Sequence, residues 1–164
     1  MQTPGRLKQS GRSTETTEIG EKTDREPGLT RTFLDTNILL YAEDSKDERK
    51  RRIALDLILA HKRQRTGVVS LQVLQEFFTN AIQKLSLDPA IARYKEEFHS
   101  RFHVVEPTAD DVLAAIDLHR LHQISFWDAM ILHCARKSGC NILLTEDLQH
   151  GRSIDRVRVV NPFL

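Results

Sequence analysis

The stretch RTFLDTNILLY, residues 31–41, governs how the rest of the chain is read. Thr32, Phe33 and Leu34 have the character of a short buried strand. An acid, Asp35, ends that run, and Asn37 follows two positions later before three aliphatic residues. A strand-like run that stops on a carboxylate has two explanations. Aspartate caps helices, because its side chain accepts from an unpaired N–H of the first turn. Aspartate is also an oxygen ligand for a hard cation. The stretch alone leaves both open.

Outward from residue 41 the pattern alternates. Short apolar runs recur: TFL, GVVS, FHVVE, NILLT and RVRVV. They are rich in Val, Ile and Phe and too short to be helices. Helical segments lie between them. Residues 47–63 place Ile53, Ala54, Leu57 and Ile58 at helical spacing. Ser70 caps a helix running to about Leu85, with Leu71, Leu74, Phe78 and Ile82 expected on its buried face. Asp88 and Pro89 open another helix. Thr108 and Asp111 stand in capping-box spacing, and residues 125–138 form a helix that Gly139 stops. Strands alternating with helices predict an α/β fold, a parallel sheet covered on both faces. Ligands of such sheets sit beyond the carboxyl ends of the strands. Asp35 lies at one such end, and Asp147, two residues after NILLT, lies at another.

With 164 residues, 40% hydrophobic and 29% charged, the chain suits one soluble domain with a real core. A formal net charge of +1 singles out no class of partner. No apolar run approaches the ~18–20 residues of a membrane span. The first residues hold no hydrophobic signal core. Cys134 and Cys140 read as free thiols of a reducing compartment, with a disulfide or metal as the lesser reading. A cytoplasmic protein is expected. Residues 1–30 carry almost no aliphatic side chains and balanced charges, the composition of a disordered tail. The folded domain is expected over residues 31–164.

Two further acids merit attention. On a helical wheel Asp128 falls among Ile131, Leu132 and Ala135, in the apolar flank of its helix. A carboxylate there needs a cation or hydrogen bonds, although Ser125 and Asp128 also have capping-box spacing. Glu76 points away from the Leu71, Leu74, Phe78 stripe, with Gln72, Thr79, Asn80 and Gln83 as face-mates. That suits a solvated surface or the wall of a wet cleft. Residues 46–65 hold eight Lys or Arg against three acids. Arg49, Arg51 and Arg52 are therefore candidate phosphate contacts, against the plainer reading of a solvated helix face. His119 and His122 have a spacing that suits metal, but no further ligands lie near in sequence. Trp127 reads as packing.

With these residues placed, the chain resembles the PIN-domain family, most closely its VapC-type toxin ribonucleases, over roughly residues 31–160. LDTNILLY is similar to the family's opening motif (Asp35, Asn37), SLQVLQEF to the second (Glu76), SFWDAMILHCARKSGC to the third (Asp128), and ILLTEDLQHG to the fourth (Thr145, Asp147). The resemblance implies a three-layer α/β/α fold around a five-stranded parallel sheet. It implies an endonuclease dependent on Mg²⁺ or Mn²⁺ that cuts single-stranded RNA. It further implies a homodimer and, for toxins, a cognate antitoxin. Asp35, Asp128 and Asp147 would be direct ligands. Glu76 would bind an ion directly or through water, help a second ion or orient the nucleophile, and Asn37 and Thr145 would hold acids or water in place. After Asp147 the chain reads LQHGR, where many toxin-type members carry an aromatic residue. Two other readings stay open: a non-catalytic RNA-binding or interaction module of the same fold, and a phosphatase of the haloacid dehalogenase class. The second is weakened by Asn37, where that class has a second Asp.

Overall fold

A computed structural model describes residues 30–164. Apart from Thr30, the tail expected over residues 1–30 lies outside the described residues. In chain order the elements are β1 (Arg31–Leu34), α1 (Thr36–Tyr41), α2 (Glu48–Gln64), β2 (Gly67–Ser70), α3 (Leu71–Gln83) and α4 (Pro89–His99). They continue with β3 (His103–Val105), α5 (Ala109–His122), α6 (Phe126–Lys137), β4 (Cys140–Leu144), β5 (Ser153–Ile154) and β6 (Val157–Val160).

The strands form one sheet in the order β3-β2-β1-β4-β6-β5. The five expected strands are all present and mutually parallel. The expectation of five strands falls short by one, because β5 pairs antiparallel with β6 at the edge. With two residues, β5 is too short to leave a periodic signal. Its tight return to β6 is made by Asp155 at φ 52°, a left-handed conformation that Asp tolerates better than most side chains. From β1 the chain winds one way to β2 and β3, then crosses to β4 and β6 on the other side. The switch between β1 and β4 opens a crevice at their carboxyl ends.

Phe33, Leu34, Val68, Val69, Leu143, Val157 and Val159 bring strand side chains wholly or almost wholly out of water. At about 25 cal/mol per Å² of apolar area, this burial dominates the stability of the fold. The helix starts follow the sequence. Ser70 accepts from the N–H of Val73 and Asp88 from that of Ala90, and Thr108 and Asp111 close a reciprocal capping box. The buried face of α3 is rotated from the expected one. Val73, Leu74, Phe77 and Ala81 are inside, while Leu71 and Phe78 are exposed. The sequence offers apolar residues on two adjoining stripes, and packing against the sheet and α4 selects one. Gly67 has a steric role. A Cβ there would lie 2.6 Å from Cδ1 and Cε1 of Phe102, so glycine lets that ring close over the start of β2.

Candidate metal centre

The end of β1 is tied to the end of β4 by the Asp35 N–H, which donates to the Leu144 carbonyl at 3.0 Å. Both readings of Asp35 meet in one side chain. As N-cap of α1, its Oδ1 accepts from the N–H of Thr36 at 2.6 Å. Its Oδ2 accepts the Thr145 hydroxyl at 2.6 Å and the Asn37 amide at 3.3 Å. The same Asn37 Nδ2 lies 3.0 Å from Asp147 Oδ2 and 3.2 Å from Thr145 Oγ1. The Asp147 N–H donates to Thr145 Oγ1 at 3.1 Å. Asn37 thus bridges two carboxylates that follow neighbouring strands, and Thr145 joins the Asp35 carboxylate to the Asp147 main chain.

Glu76 enters from α3. Its Oε2 accepts the Thr36 hydroxyl at 2.9 Å, and its Oε1 accepts Gln72 Nε2 at 2.8 Å. The polar face of α3 is therefore the wall of a wet cleft. That cleft, about 410 Å³, is lined by Thr36, Asn37, Glu76 and Asp147, with Lys46 and Lys84 at its sides.

Asp35 is 4% exposed. Burial pushes its carboxyl up to about 7. The Thr145 and Thr36 hydrogen bonds pull it down, and the charges of Asp147 and Glu76 push it up again. Three acids are therefore near enough to feel one another. Asp128 is placed differently. It is half-buried in the first turn of α6 rather than enclosed in an apolar flank. Its N–H donates to Ser125 Oγ at 3.0 Å, and that hydroxyl donates to Asp128 Oδ2 at 2.6 Å. None of its hydrogen bonds goes to the Asp35 group. Among the described residues no three His, Cys, Asp or Glu side chains are drawn together as a ready-made ion cage.

The donor set nevertheless suits a hard cation in kind. It consists of oxygen atoms on carboxylates, an amide and hydroxyls. Asn37 Oδ1 is buried with no hydrogen-bond partner. Such an orphaned acceptor costs about 1–3 kcal/mol, and a cation beside it would remove that cost. The buried Asp35 carboxylate would gain in the same way.

Several neighbours of the site left little trace in the sequence. Thr36 lies inside the opening motif and is the link to Glu76. Tyr41 donates to Glu146, and Lys50 reaches both, at 2.9 Å and 2.7 Å. Lys84 follows the last residue of α3, and no pattern marks it. The three arginines considered for phosphate do not line the cleft. Arg49 donates to the Phe163 carbonyl at 2.8 Å, Arg51 pairs with Glu48 at 3.2 Å, and Arg52 is exposed. Nδ1 of His119 is bound to the Ile124 carbonyl at the end of α5. Trp127 is 62% exposed and packs edge-on against Phe126, ring centroids 5.3 Å apart. Cys134 and Cys140 are free and buried, and burial pushes both thiols up to about 11.

The PIN domain model matches residues 32–156, most of the folded part, and the motif acids fall inside the match. The chain belongs to the PIN domain family. Solved structures of similar fold include the Mycobacterium tuberculosis toxin VapC20, a sarcin-ricin loop cleaving toxin. It is 23% identical, with a TM-score of 0.58 over 68% of this chain and 86% of that one. A toxin–antitoxin complex from Klebsiella pneumoniae is 20% identical, with a TM-score of 0.60 over 80% and 97% of the two chains. VapBC2 from Rickettsia felis, bound to a DNA fragment from its promoter, is 20% identical, with a TM-score of 0.58 over 79% and 97%. No curated protein matches in sequence. At these identities the likeness to solved structures is one of fold. In this PIN domain the site sits where the fold reverses its winding.

Proposed function

We propose that this PIN domain is an endoribonuclease dependent on Mg²⁺ or Mn²⁺, cutting single-stranded RNA as the toxin of a toxin–antitoxin pair. One observation carries the reading. At the β1–β4 switch point the Asn37 amide reaches both Asp35 and Asp147 while its own oxygen has no partner, and Glu76 is tied to the same turn through Thr36. Asp35 and Asp147 would hold the ion, joined by Asp128 once it leaves Ser125, with Glu76 acting directly or through water. A bound ion of this kind acidifies a water and offsets charge on phosphate oxygens. The chain's own contribution is orientation. Thr145 and Asn37 fix the rotamers of Asp35 and Asp147, and Thr36 and Gln72 fix Glu76. Lys46 and Lys84 offset the carboxylates' repulsion of an RNA backbone.

The partner side of the proposal rests on likeness. The Klebsiella structure is a toxin–antitoxin complex, and the Rickettsia VapBC2 structure carries promoter DNA. For this chain the reading implies a homodimer and a cognate antitoxin. Among the described residues no helix is long and apolar enough to cross a membrane. The test is incubation of the purified chain with a panel of RNAs in Mn²⁺, Mg²⁺ or EDTA, beside Asp147→Asn. Cleavage by the parent with either metal, absent in EDTA and in the variant, supports the reading. RNA binding without cleavage in any metal would replace it with the non-catalytic one.

A further inference from the structure

At the opposite end of the sheet from Asp35, the amino ends of β1, β2 and β3 lie side by side, with Thr32 paired to Gly67 and Val68 to His103. A second cavity opens there, about 470 Å³, lined by Arg31, His61, Lys62, Arg65, Arg101 and His103. Among the described residues no carboxylate lines it. Glu97 is not among its lining residues but pairs with Arg101 at 3.6 Å. Phe102 and Gly67 form its apolar wall.

Some of these cations have structural employment. Lys62 donates to the Phe98 carbonyl at 3.1 Å and lies over the rings of Phe98 and Phe102. Lysine near a helix C-terminus also suits the dipole. Arg31 reaches the Ser138 carbonyl at 3.3 Å. Those contacts, the Arg101–Glu97 pair and the His61 Nδ1–Thr66 Oγ1 hydrogen bond account for single groups but not for the gathering. The cluster works against itself. After the larger effect of burial, the charge of Arg101 lowers the Lys62 pKa, and that of Arg31 lowers His103. Concentrated like charge in a concave wall is a cost unless an anion offsets it.

We propose that this cavity binds a phosphate group, as a second anion site at the amino edge of the sheet. Two sources share that chemistry: a small phosphorylated molecule and the backbone of an RNA. β1 is four residues long, so at ~3.3 Å per residue the site lies on the order of 13 Å from Asp35. An RNA occupying the cleft would have to pass round the sheet edge to reach it. Arg65, at φ 55° beyond α2, and Arg101 are exposed and are the best placed to close on a phosphate.

Inorganic pyrophosphate is the first probe, titrated into the full chain in EDTA and followed by thermal shift. This reading is independent of cleavage and survives failure of the ribonuclease proposal. A saturable rise in Tm is expected in the parent. It should weaken at least ~10-fold in apparent affinity in Arg65→Gln/Arg101→Gln. The charge-matched Arg51→Gln/Arg52→Gln should respond like the parent. All three proteins are checked for equal far-UV circular dichroism. A single-stranded RNA oligomer in EDTA then separates the sources. If Arg65→Gln/Arg101→Gln lowers RNA affinity and reduces the salt slope by about 1, the phosphate is that of RNA. If RNA binding is unchanged while the pyrophosphate response is lost, it is a small molecule's. A response that is absent, or lost equally in both variants, overturns the site.

Discussion

The Thr145 hydroxyl donates to Asp35 Oδ2 at 2.6 Å, joining residues 110 positions apart. The same oxygen accepts from the N–H of Asp147. One hydroxyl therefore sets the positions of both strand-end acids, and β1–β4 pairing brings it there.

The buried Asp35 carboxyl has a pKa of about 7 in the fold, against 3.8 ordinarily. The fold favours its neutral form. Its contribution to stability is fully present below pH ~4 and is lost as pH rises through about 7. In EDTA, stability of the parent should fall across that window. Asp35→Asn has no proton to lose there and should remove the slope, with a pH-independent offset for the acceptor it takes from Thr36 or Thr145. Urea melts at pH 5, 6, 7 and 8 read this directly, and parallel slopes in the two proteins would count against it.

Thr145→Val keeps the volume and removes the hydroxyl. Asp35 loses a donor and Asp147 an acceptor for its N–H, so a loss of about 1–3 kcal/mol is expected. Mn²⁺ affinity, measured by calorimetry, should also weaken, on the ~10–100-fold scale of outer-shell changes. Thr145→Ser should restore most of both. Equal behaviour of Val and Ser would mean that the hydroxyl does not matter.

Asp128 is bound to Ser125 and half-buried. Asn at this position keeps the shape and an acceptor, so Asp128→Asn should change metal-free stability by less than ~1 kcal/mol. Under the proposed ligand role of Asp128, the rise in Tm on adding Mn²⁺ should shrink markedly. An undiminished rise would leave Asp128 with the capping contact alone.

Asp111 is the hub between α5 and α6. Lys137 lies at 2.5 Å, the Thr108 N–H at 2.7 Å and His133 at 2.8 Å. The Lys137 ammonium, then the Thr108 N–H and His133, hold its carboxyl well below the usual range. That stabilisation is present above pH ~4 and is lost as pH falls through the depressed folded value. Asp111→Asn should cost about 1–3 kcal/mol at pH 7. The gap between variant and parent should close on acidification. A gap that stays constant from pH 7 to pH 3 would contradict this.

Much of this protein is written locally. The strands announce themselves because β-branched and aromatic runs of four or five residues fit nothing else, and Ser70, Asp88 and Thr108 mark helix starts because each cap acts within three residues of itself. The family's motif residues were legible for the same reason: Asp35 and Asp147 follow strands, and strand ends can be read from sequence. Tertiary structure decided the rest. The buried stripe of α3 depends on what packs against it, so Phe77 replaced Phe78 inside. Glu76 became a cleft residue only when α1 brought Thr36 to it. The orphaned oxygen of Asn37 and the cations gathered at Arg31, Arg65 and Arg101 have no sequence signature. Both arise from strands far apart in the chain lying side by side, and a hydrogen bond or a Coulomb field depends on distance in space, not on separation along the chain.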